Sequence, residues 1–417
     1  MRTRSGCLTG SLIASESNDA DTEQMIAIVF LRLWNDNNMK ITNNIWINLI
    51  VILQISCSQY SQHKDDDVNA QVIAGLPIPN GVMDPLLEMY HVPGISIAII
   101  HNGHIDWAKG YGVRKYGNAG EVDSLTLFQA SSISKPVSVA IALQMVDMSK
   151  LTLDEDVNQK LQSWKIPMNV YTKNEFVTLR RILSHSAGLP MHGVPEFAAG
   201  SKIPSLMQIL DGDWYSSTEP VRPVIEPGRE FRYSGGGYIV LQVLLTNISN
   251  RPFAELAKEL VLQPTGMTSS TFVQPLPQKL WSQAAVGHLE DGTPLEGLWH
   301  TLPEQAAGGL WTTPRDLACF MIELWKSYQG LSDTLLPEYL AREMLTRQID
   351  DFGLGLSLPS AGVFRFQHSG GNAGYRCFMV LSVEIPEGVV IMTNGDSGEQ
   401  LIWEVFELIA HAYGWEV

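Results

Sequence analysis

Segments with strand character stand at the two ends of this 417-residue chain, and helical segments fill its middle. Near the N-terminal end, Gly94 to Ile100 alternates and is rich in Ile, Asn102-Gly103 follows, and Ile105 to Val113 resumes the pattern. Asn-Gly between two apolar runs is a strong hairpin signal, because both turn positions need positive φ. Near the C-terminal end, Val363 to His368, Gly374 to Val383 and Gly388 to Asn394 are short, apolar and bounded by Gly and Pro. From Ser132 the pattern is helical: Val137, Ile141, Leu143, Met145 and Val146 give an apolar face that ends near Lys150, with Pro136 early enough to be tolerated. Further helices are predicted at 177–185, 204–211, 236–249, 252–263 and 314–328, within a region from 151 to 330 that reads as mostly helical. Glu399 to Tyr413 gives a closing helix. The expected fold class is α/β in the α+β sense: one antiparallel sheet built from both chain ends, flanked by helices, with an inserted, mainly helical domain.

With 45% hydrophobic and 17% charged residues, the chain can bury a substantial core. Its 44 acidic against 28 basic residues leave a formal charge of -16. That balance does not suit a nucleic-acid binder, which needs a basic face, nor a protein held electrostatically on anionic lipid. The four cysteines, Cys7, Cys57, Cys319 and Cys377, contain no C-x-x-C. Cys319 and Cys377 sit in apolar surroundings and are expected as core thiols, with a disulfide between them left open. His101 and His104 flank the predicted turn and, with no third ligand in sight, are expected to face solvent rather than hold a metal.

Residues 1–38 show no clear pattern and are read as an upstream over-call or a disordered stretch, with Met39 as the true start. Met39-Lys40-Ile41 opens a short n-region, and Ile45 to Ile55 is an apolar run of signal-peptide length interrupted by Asn48 and Gln54. Ser56-Cys57-Ser58 follows. Residues 39–57 thus resemble a lipoprotein signal with Cys57 as the lipidated residue, although Gln54 stands where such signals carry Leu. An uncleaved anchor and a secretory signal cut nearby are the other readings, and all three place the remainder outside the cytoplasm. Residues 58–76 are expected as a polar tether and 77–417 as the functional domain.

Ser132-Ile133-Ser134-Lys135 puts a hydroxyl and an amine three residues apart at the start of a predicted helix, on one helical face. A helix N-terminus adds free N–H groups and a positive dipole end. Together these make a nucleophilic serine without a histidine triad. A second S-x-x-K, Ser61-Gln62-His63-Lys64, lies in a polar stretch with no helical pattern.

The run Phe128 to Pro136 resembles the nucleophile segment of the serine β-lactamase and penicillin-binding-protein superfamily. Further segments resemble that group in the expected order: Leu179 to Pro190, Glu226-Pro227-Gly228 with Phe231-Arg232-Tyr233-Ser234, Leu262 to Met267, Ala306 to Leu310, and Gln367 to Asn372. The likeness covers about residues 77–415 and is nearest to class C β-lactamases, D-amino-acid peptidases and esterases. The resemblance implies that Ser132 attacks an ester, amide or lactam carbonyl and forms an acyl-enzyme. Lys135 and Tyr233 are implied as proton carriers, with the choice of general base open. The backbone N–H groups of Ser132 and Gly371 are implied as the oxyanion hole. His368 would line the substrate side and relay a proton or bind a carboxylate, with Ser369, Gly370 and Asn372 as substrate contacts. His185 is expected to hold a loop by hydrogen bonds, and Ser184 and Ser186 to be turn residues. Trp214 and Tyr215 are expected in the site wall, between His192 and Val224, or in packing.

Two departures bear on the substrate. Gly235 stands where the tyrosine motif ends in Asn, and His368 where true β-lactamases often carry Lys, a permanent cation. Both favour a peptidase or esterase over an efficient β-lactamase, acting on a small-molecule or peptide substrate. The resemblance implies no metal or organic cofactor. G-x-S-x-G and H-E-x-x-H are absent, so neither an α/β-hydrolase nor a zinc hydrolase is indicated. The alternative class is a non-catalytic, penicillin-binding-like envelope protein that binds peptidoglycan or peptides, which Gly235 favours and the set Ser132, Lys135 and Tyr233 opposes. The expected location is the bacterial cell envelope, periplasmic or anchored through the N-terminal signal. Oligomeric state is not readable from the sequence.

Overall fold

Asn102 (φ 52°) and Gly103 (φ 73°) both adopt the left-handed region. They close the predicted hairpin between β1 (Gly94–His101) and β2 (His104–Gly112). The structure is a computed structural model that describes residues 71–117, 120–213 and 218–415. All of these fall in one compact unit, Asp67–Val417. Cys57, the Ser61–Lys64 motif, Trp214 and Tyr215 lie outside the described residues.

Two short strands, β3 (Phe128–Gln129) and β4 (Trp311–Thr312), pair with each other. The late strands β5 (Arg365–Asn372), β6 (Tyr375–Ser382) and β7 (Gly388–Thr393) join the first two in a five-stranded antiparallel sheet. Its order is β2-β1-β7-β6-β5, so the last strand of the chain pairs directly with β1, Ile97 opposite Ile391. The expected sheet from both chain ends is what forms. Its central strands are buried on both faces, which explains why β7 is apolar throughout and why the alternation read in β1 separates no exposed face.

The helices in chain order are α1 (Asn80–Met89), α2 (Ser134–Asp147), α3 (Leu179–Leu183), α4 (Leu206–Asp211) and α5 (Gly235–Ser249). They continue as α6 (Phe253–Ala257), α7 (Gln305–Gly308), α8 (Pro314–Tyr328), α9 (Glu338–Met344) and α10 (Gly398–Tyr413). One core lies between the sheet and the terminal helices, where Ile95, Ile97 and Ile99 meet Met83, Leu401 and Val405. The other face of the sheet joins a larger core with α2, α5 and α8. α8 starts at a Thr313 cap that accepts the Asp316 N–H, with Pro314 in its first turn. α10 stops at Gly414, whose φ of 66° continues no helix.

Two expectations need correction. The middle of the chain is less helical than its periodicity suggests, because much of 150–178, 184–205 and 268–304 runs as loops held by side chains. Asn158 illustrates this: its amide oxygen accepts the Ile166 N–H at 2.8 Å and its amide nitrogen donates to the Ile166 carbonyl at 3.0 Å. α2 begins at Ser134, and residues Ser131–Ile133 form a tighter 3-10 turn ahead of it. Cys319 and Cys377 are free thiols. His101 bonds Glu387 and His104 bonds the Asn102 carbonyl, each at the turn end of the β1–β2 hairpin and exposed.

Leu401 is fully buried between α10 and the sheet. Leu401→Ala is expected to lower unfolding free energy by roughly 2–5 kcal/mol, measured by urea denaturation followed by circular dichroism.

Candidate active site

The segment Ala130–Ser134 is fixed at both ends by hydrogen bonds to Leu310. Ala130 donates its N–H to the Leu310 carbonyl at 2.9 Å, and Leu310 donates its own N–H to Ser134 Oγ at 3.0 Å. Ser131 adopts φ +50°, an unusual conformation for a residue with a side chain, at the sharp passage from β3 into the turn. Of the three serines at 131, 132 and 134, Ser131 and Ser134 are buried, and Ser132 alone is partly open.

Lys135 is 2% exposed. Its Nζ lies 3.0 Å from Ser132 Oγ and donates to the Ala307 carbonyl at 2.8 Å. The rings of Tyr233 and Tyr238 stand 5.0 and 5.6 Å from that nitrogen. The Ala306-to-Leu310 segment is therefore a backbone acceptor that clasps α2. Ser138 Oγ reaches the Ala306 carbonyl at 3.0 Å, and Gln242 accepts the Ala306 N–H at 3.0 Å.

Tyr233 is brought to Lys135 by its ring, and its hydroxyl bonds neither Ser132 nor Lys135 among the described residues. His185 stacks on it with centroids 4.2 Å apart. The Ser234 N–H donates to His185 Nδ1 at 3.0 Å, which puts the His185 proton on Nε2. The loop-holding role expected of His185 is what this bond performs. Burial, then the nearby Lys135, holds its pKa well below the ordinary value. Ser184 Oγ bonds the Arg180 carbonyl and Ser186 Oγ in the turn after α3.

Gly235 opens α5 behind a Ser234 cap whose Oγ accepts the Gly237 N–H at 2.9 Å. A Cβ at Gly235 would come within 2.9 Å of Val194 Cγ1 and 3.1 Å of the His192 carbonyl. The room that the family's Asn would need is filled by the 191–194 loop, whose Met191 carbonyl accepts the Gly235 N–H at 2.7 Å. The same loop carries the exposed His192 ring to 4.8 Å from Tyr233.

β5 is the edge strand that faces the Ser131–Ile133 turn. Gly370 is the closest point: a Cβ there would lie 2.4 Å from the Ala130 carbonyl. Strand alternation divides the third motif. His368 is buried, whereas Ser369 and Gly371 are exposed on the opposite face, paired with Phe378 and Arg376. Asn372 turns inward, where its amide donates to Gln129 at 2.9 Å and ties β5 to β3 instead of facing the serine. His368 Nδ1 donates to the Ser369 carbonyl at 2.6 Å, leaving Nε2 as a buried acceptor without a partner among the described residues. Burial, with Lys135 adding to it, pushes the His368 pKa down to about 4. His368 is thus neutral near pH 7.

Sequence reasoning missed two acids here, Glu196, which supports this edge, and Glu304, whose carboxyl is buried near Glu196. Glu196 accepts the Ala373 N–H through both oxygens at 3.2 Å and bonds His300 Nδ1 at 3.1 Å, so the wall loop grips the β5–β6 turn. Glu304 precedes α7 without capping it and is fully buried, and neither carboxyl oxygen bonds a described residue. Burial pushes its pKa up to about 8, with Glu196 adding to the shift. Neither acid lies in a recognisable motif. Among the described residues no group of three His, Cys, Asp or Glu side chains is placed to hold a metal ion, and no helix is long and apolar enough to cross a membrane.

A sheet from both chain ends, with S-x-x-K seated at its edge strand, defines the architecture of the β-lactamase and penicillin-binding-protein superfamily. The chain belongs to the Beta-lactamase family, whose model matches residues 80–412. It is similar to Protein flp of Staphylococcus aureus (strain N315), 23% identical over 331 residues, covering 75% of this chain and 61% of flp. The chain thus spans about three fifths of the length of that curated relative. Its fold is similar to that of the octameric penicillin-binding protein homologue of Pyrococcus abyssi (TM-score 0.65, 22% identity, 81% of this chain and 77% of that one). It is also similar to that of EstCE1, a hydrolase with promiscuous acyltransferase activity (TM-score 0.64, 20% identity, 80% and 97%).

A raised pKa at Glu304 means that the native state holds a proton which the unfolded chain releases between about pH 4.5 and 8. Its contribution is complete below 4.5 and is lost as pH rises through 8. For His368 the sign reverses, with stability complete above 6.5 and lost as pH falls to about 4. Glu304→Gln, neutral at every pH, is therefore expected to melt progressively higher than the parent as the buffer moves from pH 5 to pH 8, in paired thermal scans.

Proposed function

We propose that this protein is a serine hydrolase that works through an acyl-enzyme on Ser132. The observation that carries the reading is the partly open Ser132 Oγ set 3.0 Å from the buried Lys135 Nζ. In its amine form Lys135 takes the hydroxyl proton as Oγ attacks the substrate carbonyl carbon. The Ala307 carbonyl keeps the amine aimed at Ser132. The oxyanion forms against the N–H groups of Ser132 and Gly371. The ammonium then returns its proton to the leaving group, and water enters to release the acid. The 3.0 Å approach favours Lys135 as base, whereas Tyr233 offers its ring face to the amine and shapes its surroundings.

The substrate favoured is a neutral ester, ahead of a D-amino-acid peptide and well ahead of a β-lactam. A carboxylate beside the scissile carbonyl wants a permanent cation, and His368 offers a neutral ring with a free Nε2 acceptor. The Gly235 cleft closed by the 191–194 loop lacks the amide that would hold a peptide side chain. EstCE1, of similar fold, is named a hydrolase. Lipid attachment at Cys57 and residence in the bacterial envelope complete the proposal, and peptides or esters met there are the partners it implies.

Stopped-flow turnover of p-nitrophenyl acetate tests it. A burst equal to the enzyme concentration is expected, absent in Ser132→Ala. Lys135→Met is expected to slow acylation by a factor on the order of 10² to 10⁴, while Tyr233→Phe keeps the burst amplitude. Equal traces from the parent and Ser132→Ala would mean a non-catalytic binding protein, the competing reading.

A further inference from the structure

On the α10 side of the sheet, a cavity of about 470 Å³ opens among the ends of β5, β6 and β7, the β1–β2 turn and the last turn of α10. Its walls are largely apolar and aromatic. Phe406, Tyr413 and Trp415 line it, the last two with ring centroids 5.4 Å apart. Volume and lining suit a small organic ligand.

Three polar side chains at this cavity decide what ligand it suits. Glu387 is already consumed by the wall. Its Oε2 bonds His101 Nδ1 at 2.8 Å and accepts from Trp415 Nε1 at 3.2 Å, and its Oε1 accepts the Asn102 N–H at 3.1 Å. It joins the β1–β2 turn to the end of the C-terminal helix. Arg365 and Ser382 stand directly opposite each other in the β5–β6 register. Among the described residues the Arg365 guanidinium makes no ion pair or hydrogen bond, and the Ser382 hydroxyl makes no hydrogen bond. An unpaired guanidinium in the wall of an aromatic-lined cavity, beside an unpaired hydroxyl, suits one carboxylate. A wholly apolar ligand would leave the guanidinium unmatched, and a polyanion would meet the Glu387 charge.

We propose that this cavity binds a small monocarboxylate with an apolar body, its carboxylate on Arg365 and Ser382 and its body against Phe406, Tyr413 and Trp415. The site is separate from Ser132: Arg365 and His368 stand on opposite faces of β5 by strand alternation. It does not depend on whether the protein hydrolyses anything.

Isothermal titration of the full chain with phenylacetate and octanoate, beside phenylacetamide and octanamide, tests the assignment. At least one acid is expected to bind at one per chain, with its amide about tenfold weaker or worse. Arg365→Met is expected to weaken the acid by at least the same factor, Arg365→Lys to fall between, and Ser132→Ala to leave binding unchanged. Circular dichroism melts of each variant confirm that the fold is intact, and Ser382→Ala gives a second, smaller loss at the same contact. Failure of both acids to bind would overturn the proposal, as would an Arg365→Met titration equal to the parent's. Loss of binding in Ser132→Ala would move the ligand to the other site and overturn it equally.

Discussion

A lysine amine buried in the body of a domain needs oxygen acceptors around it, and the disposition of this protein's centre follows from how Lys135 finds them. One acceptor is Ser132 Oγ and the other is the Ala307 carbonyl. The second contact requires residues 303–310 to lie along α2, and three polar side chains hold them there. Ser134 takes the Leu310 N–H, Ser138 reaches the Ala306 carbonyl, and Gln242 from α5 accepts the Ala306 N–H while donating to the Pro303 carbonyl. Such a satisfied network specifies one arrangement, because a buried member left unpaired is costly. The amine thereby stays on the serine through a frame drawn from three distant stretches of chain.

The second constraint is the approach of an edge strand to that frame. β5 lies so close to Ala130 that residue 370 must lack a Cβ. The tip of the β5–β6 hairpin is gripped by two carboxylates, Glu196 on the Ala373 N–H and Asp396 on the Gly374 N–H at 2.9 Å. Because Glu196 belongs to the wall loop, the loop and the strand that carries Gly371 are set as a unit. A neutral His368 and a loop pressed onto Gly235 then leave a site with aromatic and imidazole lining and a single buried amine at its serine.

Much of this was legible in the sequence, and the exceptions have physical causes. The Asn-Gly turn and short apolar runs bounded by Gly and Pro disclosed the sheet, whose strands β1 and β7 are buried on both faces. Motif order marked Ser132, Lys135 and Tyr233, which the fold does gather. β3 and β4 escaped because two residues carry no period. The helical reading of 151–330 overreached where Asn and Asp side chains hold loops in place. The side chains of 368–372 are divided by the strand's own period, which puts Ser369 on the exposed face and joins Asn372 to Gln129. Glu196 acts through a backbone N–H and Glu304 is marked only by its burial, and no spacing announces either.

The central claim is that Lys135 makes Ser132, among three neighbouring serines, the nucleophile. A fluorophosphonate probe followed by peptide mapping in a mass spectrometer reads this directly. The account predicts one adduct per chain, on Ser132, with labelling greatly slowed in Lys135→Met. An adduct on Ser131 or Ser134, no adduct at all, or equal labelling rates in the parent and Lys135→Met would contradict it.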